Sequence, residues 1–176
     1  MNYQTVYDFW FNTLTAEQWF AVDHDVDELI SQKFKSTLEA AKAGELFEWR
    51  TSAQGALCEI IVLDQFSRNI YRGTPAAFNQ DATALVLAQQ AIEKGFDKQL
   101  NETEVGFLYL PYMHSESKII HEIALSLYQN HPSYDFEVAH KNIIDQFGRY
   151  PHRNQILGRV SSEQELTFLT QPNSSF

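Results

Sequence analysis

The sequence predicts an all-α domain. Apolar residues recur at helical spacing along most of the chain. Ser, Thr, Asp and Glu stand where helix N-termini need caps. Glycine and proline are sparse, 7 and 5 among 176 residues, too few for a sandwich or barrel of many tight turns. These signals give about eight to ten helices joined by short links. The chain length fits a single domain, residues 1–176, with a flexible polar tail from about residue 171.

Thr15-x-x-Gln18 reads as a capping box before a short helical turn. Asp25-x-x-Glu28 reads as a second, opening a helix with Val26, Leu29, Ile30, Phe34, Leu38 and Ala41 at helical spacing and Gly44 as its stop. Ser52 is placed to cap the next helix, apolar from Ala56 to Phe66, although its Ile60-Ile61-Val62-Leu63 run is β-prone in isolation. Thr74-Pro75 supplies a cap and a proline at the first helical position, so a long helix is expected from Ala76 to Lys94, ended by Gly95. Another begins around Asn101 to Thr103 and carries Val105, Phe107, Leu108 and Leu110 until Pro111 interrupts it. From Ser117 a helix carries Ile119, Ile120, Ile123, Ala124, Leu127 and Tyr128 to a His131-Pro132 break. Ser133 opens one that Gly148 closes after Phe147, and Ser162-x-x-Glu165 opens the last.

Composition narrows the function classes. Hydrophobic residues make up 44% and aromatics 14%, which supports a packed core and argues against intrinsic disorder. A formal charge of −10 repels nucleic acid and anionic membrane, so neither is an expected partner. The single cysteine, Cys58, excludes an internal disulfide or a multi-Cys metal site and reads as a core thiol. The start MNYQTVYDFWF lacks Lys, Arg and an apolar core, so it does not read as a signal peptide, and a cytoplasmic setting is expected. No run of about 18 apolar residues is present to span a membrane.

Asp64-Gln65-Phe66-Ser67-Arg68-Asn69-Ile70-Tyr71-Arg72 is echoed by Asp145-Gln146-Phe147-Gly148-Arg149-Tyr150-Pro151-His152-Arg153. Arg68, Arg72, Arg149, Arg153 and Arg159 lie in the echoes or just after the second, with Arg50 the exception, while the lysines lie elsewhere. Arginine's rigid fork suits desolvated, bidentate pairing with carboxylate or phosphate. If these segments converge, they form an anion site. The bland reading is a set of helix-face ion pairs, since Asp64 and Arg68, like Asp145 and Arg149, are four apart.

Gly148 and Pro151 disfavour helix, so Arg149, His152, Arg153 and Asn154 are expected on irregular chain, where polar groups are more often functional. His114-Ser115-Glu116 follows Pro111 at an expected helix start, and His114 and His121 share a face if one helix spans them. His140 precedes the second arginine segment. A metal site could be drawn from His114, Glu116, His121 and His140, but no HExxH or other tight ligand spacing supports it, so no metal and no cofactor is expected.

Three blocks resemble the DUF924 family: LDQFSRNIYRGTPAAFNQD from Leu63, FLYLPYMHSES from Phe107, and HKNIIDQFGRYPHRNQILGRVSSEQE from His140. Tyr7-Asp8-Phe9-Trp10-Phe11 and Trp49 are similar to the family too, so the resemblance spans nearly the whole chain. It implies an array of helix pairs of the tetratricopeptide-like superhelical class and implies no activity. The family pattern has an acidic residue soon after HSE, where this chain has Lys118.

The expected function is binding of an anionic small molecule bearing phosphate or carboxylate. Arg68, Arg72, Arg149, Arg153, Asn154, Arg159 and His140 are the candidate ligand-binding residues. If there is a reaction, His114 and His152 are its acid–base candidates, oriented by Glu116 or Asp64. The alternatives are a helical module that binds a protein or peptide, and a purely structural ion-pair network.

Overall fold

Asp23 opens the longest helix. Its carboxylate accepts from the backbone N–H groups of Asp25 and Val26 at 3.0 and 3.1 Å, so the cap sits two residues before the expected Asp25. The computed structural model describes residues 2–172, 174 and 175. Its α-helices, in chain order, are α1 Tyr3–Tyr7, α2 Ala16–Phe20, α3 His24–Lys42, α4 Ala53–Ile61, α5 Ser67–Ile70, α6 Asp81–Glu93, α7 Glu102–Met113, α8 Lys118–Tyr128, α9 Tyr134–Phe147 and α10 Glu163–Leu169. No strand occurs among the described residues, and the β-prone Ile60–Leu63 run is helical. No helix among them is long and apolar enough to cross a membrane.

The chain divides into two compact units. The first holds Met1–Arg72 and Ala76–Pro111, the second Gly73–Pro75 and Tyr112–Phe176. In the first, α3 packs on α5 and α4 on α6. Its core is aromatic, with Trp10 and Phe66 ring centres 5.6 Å apart and Phe34 and Phe66 4.9 Å apart. Two π turns, Asp8–Thr13 and Val62–Phe66, come directly after α1 and α4. Cys58 is fully buried, and burial pushes its thiol far up.

Several expected boundaries shift. Ala76–Lys94 is not one helix: Pro75–Phe78 makes a 3-10 turn and α6 starts at Asp81. Phe78 is drawn aside to lie 5.7 Å beneath the Arg68 guanidinium. Pro111 does not end its helix, which continues to Met113. A proline there forgoes only the bond back to residue 107, a small loss with two residues left to run. Leu29 faces solvent, one step round α3 from the buried Ile30.

In the second unit α8 packs on α9, and α10 on the chain near Pro151–Arg153. Ile143, Ile144 and Tyr150 form its core, flanked by Phe147 and Phe168. The inward face of α8 carries His121, Ala124 and Tyr128, whereas Ile119 and Ile123 are exposed. Of the expected tail, Ser174 is buried and donates to the Leu169 carbonyl at 3.2 Å. Asn173 and Phe176 lie outside the described residues.

Candidate functional site: a histidine cluster around Tyr150

Helix α9 stops because Gly148 adopts φ +69°, a left-handed conformation that its N–H uses to bond Ile144. The chain then extends through Tyr150, and Pro151 opens a 3-10 turn to Arg153. This sequence of breaks drives Tyr150 into the unit's interior, where its hydroxyl donates to the Met113 carbonyl at 2.5 Å.

Imidazoles gather on that ring. His140 and His152 lie 5.7 and 5.6 Å from it, His121 6.3 Å away, and the Arg153 guanidinium sits 4.6 Å over its face. His140 is pushed down to about 3, first by burial and then by the charges of His114, His121 and His152. It is therefore neutral, and its Nδ1–H donates to the Phe136 carbonyl at 2.7 Å. His114 and His152 are half-buried and form the accessible edge of the cluster.

Glu116 is held, not poised. Its carboxylate accepts from Arg159 at 2.6 and 3.0 Å and from the Tyr150 N–H at 2.8 Å. Burial alone would raise its carboxyl, but the Arg159 and Tyr150 bonds outweigh burial and hold it below the ordinary range. Arg159 also donates to the Asn154 side chain at 2.9 Å and the Tyr150 carbonyl at 3.1 Å. Glu116, Arg159 and buried Asn154 thus clasp the turn that carries Tyr150.

Most guanidinium forks are bonded to carboxylates. Arg149 donates to Glu165 at 2.6 and 2.8 Å and pulls that carboxyl down to about 2. In the first unit, Arg68 bonds Asp81 at 2.9 and 3.1 Å and touches buried Asp64 at 3.1 Å. Arg72 bonds Asp27 at 2.6 and 2.7 Å, and Asn69 joins it at 2.8 Å. Burial raises the Asp27 carboxyl, yet these bonds leave it lowered.

The sequence-predicted residues therefore fall into two groups. The second unit holds His114, Glu116, His140, Arg149, His152, Arg153, Asn154 and Arg159; Asp64, Arg68 and Arg72 belong to the first. His114 and His121 do not share a helix, because residues 114–117 are non-helical between α7 and α8. The expected Asp145–Arg149 pair is absent: Asp145 bonds Lys141 at 2.6 Å, and the left-handed Gly148 turns Arg149 toward Glu165.

Tyr150 and Glu137 were not singled out in the sequence. Glu137 stands one turn before His140 on α9, a spacing that could have marked it. Tyr150 gave no signal beyond its place in the echo. Among the described residues no three His, Cys, Asp or Glu side chains are grouped to hold a metal ion. A small hollow in the first unit is lined by Arg50, Glu59, Lys94 and Phe96 among others, with none of the predicted site residues.

An all-helical chain with this clasped histidine turn has relatives. The model of the family "Bacterial protein of unknown function (DUF924)" matches residues 6–173, and the chain belongs to that family. It is also similar to a solved structure of a protein of unknown function from Agrobacterium tumefaciens, at 32% identity and a TM-score of 0.91, covering 95% of this chain and 96% of that one. A search of curated proteins found no match.

Proposed function

We propose that the second unit binds a small anion, bearing phosphate or carboxylate, at the histidine edge around Tyr150. The observation that carries this reading is the convergence of His121, His140, His152 and Arg153 on one buried ring, with His114 near enough for its charge to act on His140. Imidazoles packed this closely resist protonation, and an incoming anion relieves that resistance. His114 and His152, being half-buried, are the groups to meet the ligand, and acid–base chemistry would fall to them. Arg149 and Arg159 support the site from behind, since their forks are already committed to Glu165 and Glu116.

The test is an NMR titration of the imidazole resonances with inorganic phosphate and citrate. His114 and His152 should shift, and affinity should be greatest in mild acid and weaken as pH rises toward the ordinary histidine value of about 6.5. A His114→Gln, His152→Gln double variant should lose the response. No shift with either anion at about 10 mM would overturn the reading. A second reading is favoured by the bonded forks: the arginine motifs specify the fold. It is recognised by variants at Arg149 or Arg159 that lose stability while the histidine resonances ignore anions.

A further inference from the structure

We propose that Glu137 is a carboxylic acid at neutral pH, hydrogen-bonded to a neutral His121, and that this pair fixes the orientation of Tyr150. Glu137 and His121 are both fully buried, with side chains 0% exposed. His121 Nε2 faces two oxygens. The Ser115 carbonyl, 2.8 Å away, can only accept. The Tyr150 hydroxyl, 3.2 Å away, has already given its hydrogen to the Met113 carbonyl. Nε2 must therefore carry a hydrogen.

On the other side of the ring, Nδ1 lies 2.6 Å from Glu137 Oε1, so one proton sits between them. Either an imidazolium donates to a carboxylate or a carboxylic acid donates to an imidazole. The second carboxyl oxygen, Oε2, decides. It is buried and has no hydrogen-bond partner. A carboxylate would leave charge on Oε2 in a fully buried site, whereas the acid leaves only a carbonyl oxygen there, a much smaller penalty. Burial raises the Glu137 carboxyl, in the same direction, against the pull of His121 and Lys141.

The surroundings agree. Lys141 on α9 is bonded to Glu122 and Asp145 at 2.8 and 2.6 Å. His140 on α9 is neutral, and Tyr150 closes the pair from the next turn of the chain. Asp145, an exposed carboxylate, also interacts with His121. With Nε2–H pointing at Ser115 and Tyr150, the tyrosine hydroxyl accepts on that side and gives its own hydrogen to Met113. Glu137 and His121 are thus positioning residues for the ring on which Arg153, His140 and His152 gather. That functional meaning rests on the anion reading; the proton assignment does not.

Infrared spectroscopy of the wild type should show a protonated-carboxyl stretch at neutral pH that Glu137→Gln removes. The His121 15N resonances should report the Nε2–H tautomer and stay fixed from about pH 5 to 8, across the ordinary histidine range. Glu137→Gln keeps the hydrogen-bond sense, since its amide donates to Nδ1 and its carbonyl replaces Oε2. It should melt within about 3 °C of wild type and keep any phosphate response of His114 and His152. Glu137→Ala should shift the Tyr150 resonances and weaken that response. A doubly protonated His121 in the wild type at pH 7, or no carboxyl band, overturns the proposal. Should the wild type ignore phosphate and citrate, the anion reading fails alone, and the tautomer and the infrared band still decide this one.

Discussion

Glu116→Gln keeps the shape of the side chain and removes the charge that Arg159 is bonded to. Three donors are affected: two from Arg159 at 2.6 and 3.0 Å and the Tyr150 N–H at 2.8 Å. Hydrogen bonds to a charged group contribute about 1.5–3 kcal/mol each, less where solvent compensates. The Arg159 and Glu116 side chains are 23% and 27% exposed, so we expect a net loss of about 2 kcal/mol. For a chain of this size that lowers the melting temperature by roughly 4–8 °C.

The pH dependence comes from the lowered folded-state carboxyl. Glu116 stays ionised in the fold below the pH at which the unfolded side chain, with its ordinary value of 4.5, takes up a proton. Its contribution is complete above that value and disappears as pH falls through the lower folded value. Thermal denaturation of both proteins between about pH 3 and 8 should therefore give a constant gap at neutral pH that closes in acid. A gap under about 0.5 kcal/mol at pH 7, or one that widens on acidification, would refute the clasp.

Arg68→Ala takes one guanidinium from two carboxylates, one of them Asp64 with a side chain only 2% exposed, and should cost about 3 kcal/mol by urea denaturation. A loss below about 1 kcal/mol would show that the pairing is dispensable. Gly55→Ala would place a Cβ 2.2 Å from the Trp49 carbonyl oxygen, a backbone atom that cannot swing away. Moving it should cost about 2 kcal/mol, and a variant as stable as wild type would mean the α4 entry is loosely packed.

The helix starts were legible because caps are local chemistry. Thr15 with Gln18, Ser52, and Ser162 with Glu165 form the caps their spacing announced. Asp23 was missed because Asp25 is an equally acceptable residue two positions on, and only the backbone angles choose. The two π turns left no trace, since an inserted residue changes no residue type. Within the site, Asp64–Arg68 was readable as a four-residue spacing. Asp81 and Glu116 were readable as carboxylates able to pair, but no spacing joined them, or Asp27 and Glu165, to a particular arginine, because all four reach their partners through tertiary packing. The echo itself misled: Ser67 continues a helix where Gly148 ends one, so the same letters present their arginines differently.

The π turn at Val62–Phe66 also bears on how this chain can change length. Such a turn houses one surplus residue within a continuous helix. Excising a residue there would rewind the segment to the α period and leave the downstream residues near their present phase, whereas deleting one from the regular α4 would rotate them by about 100°. The deletion from α4 would swing Arg68 off Asp81 and Arg72 off Asp27. These two ion pairs thus gauge length in the regular helix, and the π turn is the one place in it where a residue can be lost with both pairs kept in phase.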